Sequence, residues 1–295
     1  MSFYSIIGLL RISAALLTLI ALCISISIFL GISNFGSSDV AISTITNSSA
    51  IYFLILFLLL SLAFISLMPL HIPRLIFLLG LFPLLISWRI AALSELTIIN
   101  LICTVAFIIF LSIFITILIH GLRTPSPTNR PQTTYGSVQL AFIRLYVGLD
   151  LVPHFTEKLF AGAGPRSDDI QAFQALGVSD PAEFVILAGI IEFCAAIGVG
   201  LGLFTRLACI STVIYLMVAT VMGHHFTLGF IWASTGGGWE YPVLWSVLIL
   251  SFVFGGGRWM SLDEVISEHI RLPKWVEVMM GDTSSHCHTR MMKPK

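Results

Sequence analysis

Within IRLYVGLDLVPHFTEKLF, residues 143–160, the part from Leu145 to Phe160 carries Asp150, His154, Glu157 and Lys158. Their spacing of i, i+4, i+7 and i+8 puts all four on one face of a helix. Carboxylates and an imidazole in such a row can take up a proton and pass it along, which is the chemistry of a relay. The alternative is a set of buried ion pairs that fixes helix register. Glu192, in EFVILAGIIEFCAAIGVGLGLF at 183–204, adds another acid inside an apolar run.

Both acids must be positioned by membrane-spanning helices. At 1.5 Å per residue, Asp150 falls roughly 15 Å into its span. Glu192, about ten residues before Gly202, falls at a similar depth in a span that runs the other way. Two carboxylates at one level cannot both be ionised and dry, so one holds its proton or pairs with His154. Pro153 removes a backbone bond beside His154 and is expected to kink the helix there. Small residues at Ala195, Ala196, Gly198, Gly200 and Gly202 allow a neighbouring helix to come close.

The rest of the chain supports that setting. Of 295 residues, 57% are hydrophobic and only 10% charged, and the mean hydropathy is +0.99. This is the composition of an all-α polytopic membrane protein rather than a soluble domain, where about 25% of residues are charged. Fifteen basic and fifteen acidic residues leave no net charge. That excludes nucleic acid as a partner and leaves the lipid bilayer. Cys23, Cys103, Cys194, Cys209 and Cys287 are scattered singly and read as small hydrophobes, so no metal site is expected from them. The first apolar run, 3–31, has no cleavable leader pattern and is expected to span and stay.

About 20 apolar residues cross a bilayer, and eight stretches qualify: 4–31, 51–70, 73–93, 98–121, 139–160, 183–203, 207–228 and 240–255. RTPSPTNRPQTTYGS at 123–137 interrupts them and reads as a linker. The expected organisation is two four-helix bundles: a membrane region of unknown role at 1–122, a linker at 123–136, a second membrane domain at 137–270 and a tail at 271–295.

Lysine and arginine placement orients the chain, because positive loops stay inside. With both termini cytoplasmic, the inner loops hold Arg74, Arg123, Arg130 and Arg206, and the C-terminal end holds Arg258, Arg271, Lys274, Arg290, Lys293 and Lys295. The outer side keeps only Arg89, Lys158 and Arg166, and 32–50 has no basic residue. A weak internal echo runs through the same arginines: Arg11 and Arg74 are 63 apart, Arg144 and Arg206 are 62 apart, and Arg123 and Arg258 extend the pattern. It reads either as a degenerate duplication or as the ordinary attraction of arginine to inner helix ends.

Other groups have bland readings. Adjacent His224 and His225 diverge on a helix and fit a solvated pair at the interface better than a metal site. Trp232, Trp239, Trp245 and Trp259 suit an interfacial belt. His286, Cys287 and His288 form a short ligand-type cluster in an unpatterned tail, which is weak evidence for copper or zinc.

Three stretches resemble the DoxX family of four-helix membrane proteins: Arg144 through Gly148 to Lys158-Leu159, EFCAAIGVGLGLFTR at 192–206, and GGGRWMSLD at 255–263. The resemblance covers 137–270 and leaves the first half outside. It implies a bacterial inner-membrane protein linked to redox chemistry, since the family takes its name from a subunit associated with thiosulfate:quinone oxidoreductase, and related members are proposed to join thiol and oxidant-defence complexes. The positions it carries over are Arg144, Lys158, Glu192, Arg206, Glu240 and Arg258. Asp150, His154, the additional four helices and the lack of any flavin, haem or iron–sulfur motif depart from it.

The reading that joins residues to resemblance is a quinone-interacting or anchoring subunit of a membrane redox complex. Asp150 and Glu192 would accept protons from quinol, His154 would relay them, and Lys158 with Glu240 would form the exit. No covalently bound cofactor is expected; quinone is the expected small molecule, and a protein partner takes the electrons. The chain would be at most a quinone-linked oxidoreductase subunit. Two other classes stay open. A non-catalytic scaffold or assembly factor would use 161–182, with its I-x-x-F-x-x-L pattern at 170–176, and the tail as partner surfaces. A small-solute transporter built from two repeats would keep its site at the midplane.

Overall fold

A backbone in hydrocarbon must satisfy its own N–H and C=O groups, and a helix does so within one segment. The protein is described by a computed structural model over residues 2–32, 49–124, 133–270 and 272–281; of these described residues 79% are helical and none lies in a strand. In chain order the helices are α1 (Phe3–Phe29), α2 (Ser49–Leu67), α3 (Pro73–Leu93), α4 (Thr97–Arg123), α5 (Tyr135–Leu149), α6 (Leu151–Leu159) and α7 (Ala163–Ala175). Then come α8 (Pro181–Ala195), continuing as a π-helical turn over Ala196–Gly202, α9 (Thr205–Met222), α10 (Glu240–Gly255), α11 (Leu262–His269) and α12 (Lys274–Met280).

Among the described residues, seven segments are long and apolar enough to cross a membrane, counting Tyr135–Leu159 and Pro181–Gly202 as one each. The eighth expected span is the shorter α10, of 16 residues. The seventh stops earlier than expected, at Met222, because Gly223 caps it and His224 turns into the left-handed region at φ 57°. His224 and His225 therefore lie on a turn and not on a helix. Most of the expected linker, residues 125–132, most of the 32–50 loop and the His286-Cys287-His288 cluster lie outside the described residues.

The fifth span breaks at Asp150, where α5 ends and α6 begins. Pro153 has no N–H for the Leu149 carbonyl, and its ring crowds that same group. The break thus falls about one turn ahead of the proline.

Packing divides the chain into two compact units. The first comprises Met1–Thr124, Val152–Phe173 and Asp180–Gly189; the second comprises Pro125–Leu151, Gln174–Ser179 and Ile190–Lys295. In the first unit α1 to α4 form a ring in which each helix packs on its sequence neighbours and α4 closes on α1. Ile51, Leu54, Leu58, Ile76 and Phe110 are fully enclosed, and the Ser61 hydroxyl donates to the Gly80 carbonyl across α2 and α3 at 2.8 Å. Helix α6 belongs to this unit because its aromatics are used there. Phe155, fully buried, meets Phe82, and Phe160 packs against Phe53 and Phe57 with centroids about 5 Å apart.

The second unit repeats the ring order: α5, the π-helical turn, α9, then α10 closing on α5. Val147, Val199, Cys209, Ile249 and Phe252 supply one or two residues from each element to its core. Gly148 and Gly200 bring two backbones together: a Cβ on Gly148 would lie 2.1 Å from the Gly200 nitrogen. The glycine-rich run at 198–202 therefore permits a close approach that any side chain would block.

Candidate functional site

Arg144 is completely enclosed in the second unit. Its Nη1 donates to the carbonyls of Val199 at 2.9 Å and Gly200 at 2.5 Å, and its Nη2 donates to the carbonyl of Met260 at 2.5 Å. The π-helical turn explains why these acceptors exist, since widening a helix end releases carbonyls from the usual ladder. The negative end of the helix dipole also favours a cation there. Gly202, at φ 72°, closes the turn, and a Cβ on it would meet Arg144 Nη1 at 2.7 Å. The arginine thus fastens the end of α8 and the Met260 turn to α5.

A carboxylate completes this knot. Asp263 accepts from the Phe204 N–H at 2.8 Å, the Thr205 N–H at 2.8 Å and the Thr205 hydroxyl at 2.6 Å. It therefore caps the first turn of α9 from a distant helix, with its charge at the positive end of the dipole. Phe204, a non-glycine residue at φ 49°, is held in the left-handed region by that grip. Ser261 caps α11 through the Glu264 N–H at 3.1 Å and donates to the Arg258 carbonyl at 2.6 Å. Burial pushes the Asp263 carboxyl above its ordinary value, against the pull of the Thr205 and Phe204 hydrogen bonds and the Arg144 charge.

Higher in the same unit, Glu192 is 6% exposed and accepts a 2.6 Å hydrogen bond from the Tyr215 hydroxyl of α9. The pair lies inside two membrane-spanning segments. A carboxyl beside a half-buried phenol can exchange a proton through the phenol oxygen. Asp150 caps the end of α5, its backbone N–H bonded to the Tyr146 carbonyl at 2.9 Å.

The other expected site residues are spread out. In the first unit the His154 side chain is exposed, and its carbonyl accepts from Lys158 Nζ at 3.2 Å. Arg166 donates to the carbonyls of Lys158 and Leu159, closing the end of α6. Glu157 forms an ion pair with Arg89 of α3. In the second unit Glu240 accepts from the Trp232 N–H at 3.2 Å and so staples the loop before α10. Arg206 reaches the carbonyls of Val253 and Val278, and Arg258 that of Gly255. His225 Nδ1 lies 2.8 Å from the Gly237 carbonyl. No group of three or more metal-ligating side chains occurs among the described residues.

Sequence reasoning passed over Tyr215, and it quoted Thr205 and Asp263 only as part of the family-like stretches. A role for Asp263 was legible in principle, because Ser261-x-x-Glu264 is a helix-start pattern that places it in a first turn. Tyr215 carried no local signal, since its partner lies 23 residues away.

Comparison with known proteins finds a family match that draws residues from both units. The DoxX family model matches residues 139–225. A protein of Haemophilus influenzae, described as uncharacterized, is 32% identical over 124 residues, which are 42% of this chain and 87% of that protein. No solved structure matches.

Proposed function

Because the chain belongs to the DoxX family, we propose that it is a quinone-interacting subunit of a redox complex in the bacterial inner membrane, with both termini cytoplasmic. The observation that carries this reading is the Glu192–Tyr215 pair, a buried carboxyl on a phenol within the spans. A carboxylate held at mid-membrane costs about 2.5–3.5 kcal/mol on the insertion scale, so its retention points to use. Oxidation of a quinol to a quinone releases two electrons and two protons. A quinol hydroxyl bonded to Tyr215 passes one proton through the phenol to Glu192, and Asp150 is the second acid. The two electrons leave to a partner protein.

The test is the quinone content of protein purified in nanodiscs. Wild type is expected to retain near-stoichiometric quinone, Glu192→Gln to lose it, and Tyr215→Phe to weaken it. A folded wild-type protein without quinone sinks the reading.

A scaffold is the second reading, and a specific observation favours it. Arg144, Ser261 and Asp263, all within the family-like stretches, bond backbone groups of other turns, and α7 has no buried residue and is open to a partner. Under that reading Glu192→Gln leaves complex assembly and turnover unchanged, whereas loss of the Arg144 knot abolishes assembly.

A further inference from the structure

The end of α10 carries two guanidiniums on its last-turn carbonyls: Arg206 Nε bonds Val253 O at 2.8 Å and Arg258 Nε bonds Gly255 O at 3.1 Å. Their acceptors are two residues apart, so both cations share one rim of the second unit. Arg258 is exposed and sits at φ 46°, directly after three glycines. A left-handed conformation costs a side-chain-bearing residue about 1–2 kcal/mol, which a fourth glycine would avoid. The side chain is kept in spite of that cost.

Helix α12 is fastened against the same rim. Arg206 Nη1 donates to Val278 O at 2.9 Å, Met280 is buried, and Gly256 and Gly281 touch backbone to backbone. Docking of Met280 turns the other side of this short helix outward. Trp275 (64% exposed) and Val278 (60%) stand one turn apart, with Ile270 (59%) before them and Phe254 (82%) at the end of α10. Lys274, exposed, begins the helix. The carboxylates of this segment are all at least half-buried. Asp263 is buried on Thr205, Glu264 accepts from the Met260 N–H, and Glu268 and Glu277 are half-buried.

We propose that this rim is a binding site for an anionic phospholipid of the surrounding bilayer. Arg206, Arg258 and Lys274 hold the phosphate and headgroup, and Phe254, Ile270, Trp275 and Val278 lie among the upper acyl chains. Charge complementarity favours a lipid over a protein partner: exposed cations stand beside large apolar side chains just past the last span, where headgroup phosphate meets acyl chain. A soluble anion would use the cations and leave the four apolar side chains in water.

The test uses the full chain in nanodiscs made from a phosphatidylglycerol–phosphatidylcholine mixture, with bound lipid read by native mass spectrometry. Wild type is expected to retain phosphatidylglycerol preferentially, and Arg258→Gln and Lys274→Gln each to reduce that preference about fivefold. These two side chains hold no distant element, so both variants keep the fold. In parallel, brominated phosphatidylglycerol should quench wild-type fluorescence more than that of Trp275→Phe. Equal retention of the two lipids by wild type overturns the proposal. So does displacement of phosphatidylglycerol by millimolar inorganic phosphate, which would identify a site for a free anion.

Discussion

Arg144 bonds the carbonyl of Val199, 55 residues on, and Arg11 bonds the carbonyl of Ser66, also 55 residues on. In each unit an arginine of the first helix therefore fastens the end of the second, and the ring order of helices is the same. Arg11 and Arg144 thus share one physical role, a cation on carbonyls near the end of a helix, where the dipole is negative. The environments differ, since Arg144 is enclosed whereas the Arg11 contact is exposed. Arg144→Lys is expected to cost about 2–4 kcal/mol, because a single ammonium cannot reach three carbonyls on two elements. Arg11→Lys should cost about 1 kcal/mol or less. Thermal unfolding in detergent compares the two, and equal losses would contradict the burial argument.

The Gly148–Gly200 contact makes a sharper demand. Gly148→Ala places a methyl against backbone that has no room to move, and a loss of about 3 kcal/mol in stability is expected. Gly8→Ala, with nothing within 4 Å of its new Cβ, should be stabilising by about 0.5–1 kcal/mol in mid-helix. Folded yield from size-exclusion chromatography reads both.

Asp263 gives a pH dependence whose sign follows from its raised carboxyl. A group that binds its proton more tightly when folded contributes stability that is complete below its ordinary unfolded value. That contribution disappears as pH rises through the folded value. Wild type should thus gain stability on acidification from neutrality, and Asp263→Asn should flatten that part of the profile. A melting temperature that falls over the same interval in wild type but not in Asp263→Asn would reverse the assignment.

The Arg89–Glu157 pair is 35% and 30% exposed, so solvent screening keeps its contribution small. Glu157→Gln should cost about 0.2–1 kcal/mol. A double-mutant cycle with Arg89→Gln is expected to show coupling in that range, falling with added salt. Coupling above about 3 kcal/mol would mean that the pair is dry, as in a buried relay.

The helical class, the spans and the positions of charge within them were legible from composition and hydropathy. A bilayer permits few other structures for such a chain, and apolar length is a local property. The family-like stretches were legible too, and so was the need for small residues between 195 and 202. What one strand of sequence could not decide was which neighbour each polar group meets. Asp150, His154, Glu157 and Lys158 have relay spacing, yet Pro153 breaks the helix at Asp150 and Glu157 turns to Arg89, 68 residues away. Glu192 was visible as an acid in a span, but only packing set Tyr215 against it. The resemblance carried Arg144 over as a ligand contact or a structural polar group, and the tertiary fold gave it carbonyls that exist because a helix end widened into a π-helical turn. Periodicity determines which face a residue occupies; the enclosure of a charge and the identity of its partner depend on helices brought together across tens of residues, where backbone contact and helix-end carbonyls decide.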